Sequence, residues 1–304
     1  MTRRIFVSFC LLLTVFLLTV PRIEAQQPQK VYRIGYLSYR WTKAQIGQLA
    51  AFKQGLRELG FVHGQNYVIE YRNGQGDKAR LQEVAAELVR LKVDVILPAP
   101  GRNPTRAAKQ ATSTIPIVMS GSRVDPVDAG YVVSLARPGG NITGMTDLRS
   151  KLHPKRLELL KEAFPRISRV AILWPRVQQE HAMKEVKAVG QALGIQLQPL
   201  VVSSRLGLEG LESALSAISR EHSDGLLVAM SSVVSANRAR VIEFTAKRQL
   251  PTMSSRSTFV DAGGLMSYSA DRQHMSRKAA TYVDKILKGA KPGDLPIEQP
   301  TKFD

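Results

Sequence analysis

Tyr32-Arg33-Ile34-Gly35-Tyr36-Leu37-Ser38 is a short, largely apolar run, and the period changes directly behind it. Residues 44–59 place Ile46, Leu49, Phe52, Leu56 and Leu59 on one face of a helix that Gly60 ends. A strand followed by an amphipathic helix is the first half of a βαβ unit, and the alternation continues. Residues 67–71 read as a strand and 78–91 as a helix with Leu81, Val84, Ala85 and Leu88 inward. Residues 93–97 and 115–119 are two further strands, with 104–112 helical between them. Such an order requires a parallel sheet covered by helices on both faces.

After the turn-rich Ala136-Arg137-Pro138-Gly139-Gly140 the pattern restarts. Helices are predicted over 153–164, 180–193, 208–220, 236–248 and 276–287, and strands over 170–173, 195–202, 225–230 and 265–268. The 208–220 helix would bury Leu208, Leu211, Leu215 and Ile218; the last would bury Ala279, Ala280, Val283, Ile286 and Leu287. The halves share an order of elements but no sequence repeat. Two α/β lobes joined near 140–146 predict a cleft, because open parallel sheets bind ligands beyond the carboxyl ends of their strands. Hinged closure on a small molecule follows from that arrangement.

Composition agrees with a globular chain: 304 residues, 44% hydrophobic, 22% charged, one cysteine. Residues 1–25 read as a cleaved export signal, with Arg3 and Arg4 ahead of a 16-residue apolar run from Ile5 to Val20 and Ala25 at the cut. The run is short for a membrane span, and no later segment approaches one. Thr2-Arg3-Arg4-Ile5-Phe6-Val7 leaves the secretory and twin-arginine routes both open. Cys10 falls inside the leader, so the exported chain would hold neither disulfide nor thiolate. A soluble periplasmic protein with no transmembrane span is expected.

The net charge of +18 stays strongly positive without the leader. The basic residues come singly or in pairs, without stripe, aromatic interleaving or nucleic-acid motif, so a solvated basic surface is expected and no nucleic-acid partner. Gly74-Gln75-Gly76-Asp77-Lys78-Ala79 imitates a dinucleotide fingerprint. It follows the second strand, and Asp94 lies at the wrong end of its strand to hold a ribose, so it reads as a turn. His63, His153, His181, His222 and His274 are scattered, and neither metal nor cofactor is expected. Hydrolase and P-loop signatures are absent, and no catalytic residue is assigned.

The strand-end loops hold the candidate ligand contacts. The first lobe offers Ser38, Tyr39, Arg40 and Trp41; then Gly101, Arg102 and Asn103; then Gly121, Ser122, Arg123 and Asp125. The second offers Trp174 and Arg176, then Ser231 and Ser232, then Ser254, Ser255 and Arg256, with Tyr268 beyond. Arginine forks suit carboxylates, and large aromatic side chains stack on planar ligand parts.

Several segments resemble one family: Ala51-Phe52-Lys53-Gln54-Gly55-Leu56-Arg57-Glu58-Leu59-Gly60, Ser134-Leu135-Ala136-Arg137-Pro138-Gly139-Gly140-Asn141-Ile142-Thr143-Gly144, Arg156-Leu157-Glu158-Leu159-Leu160-Lys161-Glu162 and Ala262-Gly263-Gly264-Leu265-Met266-Ser267-Tyr268. The chain is similar, from about Tyr32 to Phe303, to the ABC-transporter substrate-binding family that includes tryptophan and tyrosine uptake proteins. The resemblance implies a type I periplasmic binding fold, two Rossmann-like (flavodoxin-like) lobes joined by a three-strand hinge, and no catalysis. It implies a monomer that delivers an amino acid, aromatic acid or branched aliphatic acid to a permease and its ATPase.

Crossings are expected near 144–147, 267–271 and 288–294, with Thr146, Asp147 and Ser269 in the hinge. The lobes would then be 26–146 with 269–290, and 147–268 with 291–304. A sensory module docked on a membrane receptor would use the same fold. Two departures stand out. Gly101-Arg102-Asn103 occupies a place where Gly-Thr-Pro is common, putting a cation there that favours an anionic solute. Relatives usually run on some twenty residues beyond a segment like Gln299-Pro300-Thr301-Lys302-Phe303, so the second lobe is expected to lack its closing elements.

Overall fold

A computed structural model describes residues 30–122, 125–147, 149–175, 180–203 and 205–304. The leader with Cys10, Arg123 and Arg176 lie outside the described residues. Tyr32–Asp304 forms one compact unit. Its first part runs β1 (Tyr32–Ser38), α1 (Lys43–Glu58), β2 (Tyr67–Asn73), α2 (Lys78–Arg90), β3 (Val95–Pro98), α3 (Arg102–Ala111), β4 (Ile117–Ser122) and β5 (Ile142–Thr146). The strands form a parallel sheet in the order β2-β1-β3-β4-β5.

The second part runs α4 (His153–Ala163), β6 (Arg169–Trp174), α5 (Glu180–Ala192), β7 (Gln196–Val201), α6 (Gly207–Arg220), β8 (Gly225–Val228), α7 (Ser232–Ala236), α8 (Arg238–Lys247), β9 (Thr252–Ser254), α9 (Ser257–Val260) and β10 (Met266–Ser267). Its sheet, again parallel, has the order β10-β9-β8-β6-β7. Counted within each lobe, both sheets have the order 2-1-3-4-5, the flavodoxin-like winding. Among the described residues no helix is long and apolar enough to cross a membrane.

Each sheet is filled on both faces. On the first, Tyr36, Phe52, Leu56, Val118 and Val283 form one core layer, and Leu81, Leu88, Ile96, Ala108 and Ile117 the other. The second is covered by Leu211, Leu215, Val241 and Phe259 on one side and by Leu157, Leu160, Val186 and Ile195 on the other. The face layer holding Val283 needs α10 (Arg272–Leu287), which returns from the second lobe to lie beside α1. Asp271 caps α10, accepting from the His274 N–H at 2.8 Å, so the helix starts four residues before the predicted 276.

That return also rotates α1. A Cβ on Gly55 would collide with the Arg277 carbonyl, so the two helices meet with almost no side chain between them at this point. The buried face of α1 is therefore Gln45, Gln48, Leu49, Phe52, Gly55 and Leu56, while Ile46 and Leu59, expected inward, are exposed. Leu208, also expected inward, is exposed. The predicted helix 236–248 is Arg238–Lys247, preceded across Asn237 by a separate short helix, Ser232–Ala236, that is not among the predicted elements, and β5 and β9 are not among the predicted strands.

The chain leaves the first lobe after β5 and returns after β10. The third passage, expected at 288–294, lies further on. Gly293 and Leu295 accept hydrogen bonds from Gly139 and Thr143, and Ile297 is buried in the first lobe's core. Residues 291–298, assigned to the second lobe by sequence, thus pack on the first, because Ile297 finds its apolar neighbours there. Glu298 then pairs with β5, its N–H donating to Gly144 and its carbonyl accepting from Thr146, each at 3.0 Å. Phe303 bridges Ala270 antiparallel, and Ser269 and Asp304 exchange two hydrogen bonds of 2.9 and 2.8 Å. Residues 298–304 therefore lie between the two earlier passages.

Gly144 sits where this arrangement is tightest, with φ +117° and the Met119 backbone in the space a Cβ would need. We expect Gly144→Ala to destabilise the fold by at least about 2 kcal/mol in urea unfolding. An unchanged midpoint would show that the β4–β5 contact relaxes freely.

Candidate functional site

In flavodoxin-like sheets the strand order reverses between the first and third strands, and the loops leaving those two strand ends diverge to open a crevice. In the first lobe these loops follow β1 and β3 and contain Tyr39, Trp41, Gly101, Arg102 and Asn103. In the second they follow β6 and β8; the first continues into residues outside the described set, and the other carries Ser231 and Ser232.

The side chains there have distinct occupations. Ser38 is the last residue of β1, fully buried, and its hydroxyl accepts from Asn73 on β2 at 3.0 Å. Tyr39 is half-buried against the β3–β4 core, and its carbonyl accepts from Gly76. Trp41 stacks on buried Tyr36 with ring centres 5.5 Å apart and planes 14° apart, and Tyr71 lies 6.1 Å away. The indole nevertheless keeps 43% of its surface exposed, so the stack presents a flat aromatic face to solvent. Arg102 opens α3 and is exposed, its carbonyl accepting from the Tyr131 hydroxyl. Gly101 accepts from Thr105, and Asn103 is half-buried. The dinucleotide-like Gly74–Ala79 stretch is a turn into α2, capped by Asp77 through the Arg80 N–H at 2.7 Å.

Several second-lobe candidates lie within the fold rather than on loops. Trp174 ends β6, is buried, and packs against His153 at 4.8 Å. Ser231 caps α7 through the Val234 N–H, and Ser232 is exposed beside it. Ser254 belongs to β9, and Ser255 just past it accepts from the Met230 N–H at 3.0 Å. Tyr268 stacks on Phe303 with ring centres 5.0 Å apart. Gly121 and Ser122 are buried at the end of β4, where the Ser122 carbonyl accepts from the Asp147 N–H and the Thr146 hydroxyl.

Three of the sequence candidates, Asp147, Ser255 and Ser269, line one small cavity of about 10 Å³ together with Arg156 and Arg272. Strand ends of both sheets thus converge where the chain passes between them. Arg272 donates to Asp147 at 3.3 Å. Arg156 is fully buried, its Nε donating to the Tyr268 carbonyl at 2.7 Å. Its Nη1 lies 3.2 Å from His153 Nδ1; a guanidinium only donates, so Nδ1 accepts and the imidazole proton sits on Nε2. Nearby, Lys151 pairs with Asp125 at 3.1 Å. Burial pushes the Asp125 carboxyl up, but the Lys151 hydrogen bond and the Val127 N–H outweigh it and hold it below the usual range.

Arg156, His153 and Arg272 were not among the sequence candidates, yet the first two left a signal. The buried stripe of α4 is His153, Arg156, Leu157 and Leu160, so two of its four inward positions are polar. A cation at a core position must have a partner.

A family model described as "ABC transporter substrate binding protein" matches residues 44–304. A tyrosine-binding protein of Clostridioides difficile is 27% identical over 246 residues, which is 81% of this chain and 70% of that protein. Among solved structures, a conserved domain protein of Vibrio cholerae superposes with TM-score 0.76 at 26% identity, and a domain from Streptococcus pneumonia in complex with L-Trp with TM-score 0.75 at 22%. Each covers 90% of this chain and 91% of the other.

Removing the Arg156 guanidinium would take the partner from the part-buried Tyr268 carbonyl and from the buried His153 Nδ1. We expect Arg156→Ala to cost about 3 kcal/mol or more in urea unfolding. A loss below about 1 kcal/mol would show that these groups find other partners.

Proposed function

Since the chain belongs to the ABC transporter substrate binding protein family and has the type I periplasmic binding fold, we propose that it is exported, captures an amino acid between its lobes and presents it to a permease. The observation that carries the reading is the convergence on one cavity of strand ends from both sheets, beside the passages through which the lobes are joined. Residues 144–147, 267–271 and 298–304 are the hinge of this proposal, and Thr146, Asp147 and Ser269 are the positions about which the lobes turn. The solute lies across the crevices at the two reversals of strand order.

The tyrosine-binding relative and the L-Trp complex support an aromatic amino acid. So does the flat exposed face of Trp41 over Tyr36 and Tyr71, which suits a planar ring. Ser232 is the exposed hydroxyl on the facing lobe. The reading includes no turnover: the protein holds and releases its solute unchanged, as a monomer, with a permease and its ATPase as partners. Residues 1–25 are the export signal.

The test is a thermal-shift screen of the exported protein against amino acids, aromatic acids, sugars and short peptides. A solute at 100 times its dissociation constant adds about 2.7 kcal/mol, several degrees in a protein of this size. We expect tyrosine, tryptophan or both to raise the midpoint and to be recovered unaltered. A shift confined to sugars or peptides would overturn the solute class, and chemical conversion of the bound compound would overturn the transport reading. Mass spectrometry of the secreted chain should find its first residue at Gln26.

A further inference from the structure

The cavity between the passages carries a charge imbalance. Its lining holds two guanidinium groups, Arg156 and Arg272, against one carboxylate, Asp147. Arg156 is fully buried, Asp147 keeps 5% of its surface and Ser255 1%. Arg272 has five N–H donors and makes a single hydrogen bond among the described residues, the 3.3 Å contact with Asp147. Ser255 accepts a hydrogen bond from Met230, which leaves its own proton to donate. A volume of about 10 Å³ is room for one water, hence for one carboxylate oxygen.

We propose that this cavity anchors the carboxylate of the solute, one oxygen entering the chamber to accept from Arg272 and Ser255 while buried Arg156 balances the charge from behind. This deepens the solute-binding reading and rests on it. It also moves the anion site away from Arg102, whose exposed guanidinium at the mouth of α3 is screened by water and salt. At the cavity Arg156 and Asp147 are buried and Arg272 keeps 24% of its side-chain surface exposed, and a carboxylate there meets donors from both lobes: Arg272 on the first and Ser255 on the second. Binding a carboxylate is thereby coupled to bringing the lobes together.

The test is calorimetric titration of the exported protein and its Arg272→Gln variant. The probes are L-tyrosine, L-tyrosinamide, which lacks the carboxylate, and 4-hydroxyphenylpropionate, which lacks the amine. We expect the wild type to bind L-tyrosine about 30-fold or more tighter than the amide, and Arg272→Gln to lose about as much for L-tyrosine. The variant should change the amide's affinity by less than about threefold, a non-additivity that general damage to the fold would not produce. Arg272→Lys should recover part of the loss, and Arg277→Gln, on the same helix as Arg272 but breaking only the exposed pair with Glu58 of α1, should lose none.

Tight tyrosine binding that Arg272→Gln leaves intact would overturn the inference while leaving the amino-acid reading in place. Binding of 4-hydroxyphenylpropionate alone, dependent on Arg272, would support the inference and overturn the amino-acid reading. Failure of both carboxylates to bind would overturn the inference.

Discussion

A fully buried guanidinium has to be satisfied where it stands, and the position of Arg156 at the start of α4 therefore fixes more than its own helix. Through Nε it holds the end of β10, and through Nη1 it orients His153 against Trp174, the last residue of β6. The first helix of the second lobe, that lobe's first strand and its last strand are thus set relative to one another at a single charged group. The passages lie alongside: Asp147 on the way out and Ser269 on the way back share the Arg156 cavity. A charge at this place is expensive to bury, and the resulting geometry has little freedom to drift.

The same economy governs the first lobe. The close approach of α10 to α1 at Gly55 lets one long helix from the far end of the chain complete a core begun at Tyr32. Glu298 extends this dependence. It pairs with β5 through the backbone, while its side chain takes the Tyr282 hydroxyl at 2.7 Å and an ion pair with Lys278. Burial raises its carboxyl, and the contacts with Lys278 and Tyr282 more than reverse that, keeping it ionised where it joins the strand to α10.

The repeating strand and helix periods made the α/β class and most elements legible in the sequence, because each element buries a face long enough to show its period. What failed to show had physical reasons. β5 and β9 are only five and three residues long and contain Gly, Thr and Ser, so no period could appear. The face of α1 was misplaced since its contact with α10 is made by glycine and backbone, which carry no hydrophobic signal. Ile297 is a lone apolar residue whose partners lie more than a hundred and fifty positions earlier, so local reading could not place the third passage. The strand-end rule led to Ser255 and the family resemblance to Asp147 and Ser269 as hinge residues, but Arg156 and Arg272 lie on helices, where charged residues ordinarily face water.

The interleaving of the lobes has a consequence for the order in which the chain can become structured. The second lobe is continuous from Arg149 to Ser267, and its contacts are available as soon as that stretch has been made. The first lobe has its opening strands from Tyr32 onward yet lacks a covering helix until Arg272–Leu287 arrives, and the neighbour of β5 until Glu298 does. Chain growth therefore produces the earlier lobe first and completes it last. Contacts that span most of the chain are slow to form, so the nascent protein would carry an incompletely covered first lobe from the making of β5 until the last residues of its synthesis.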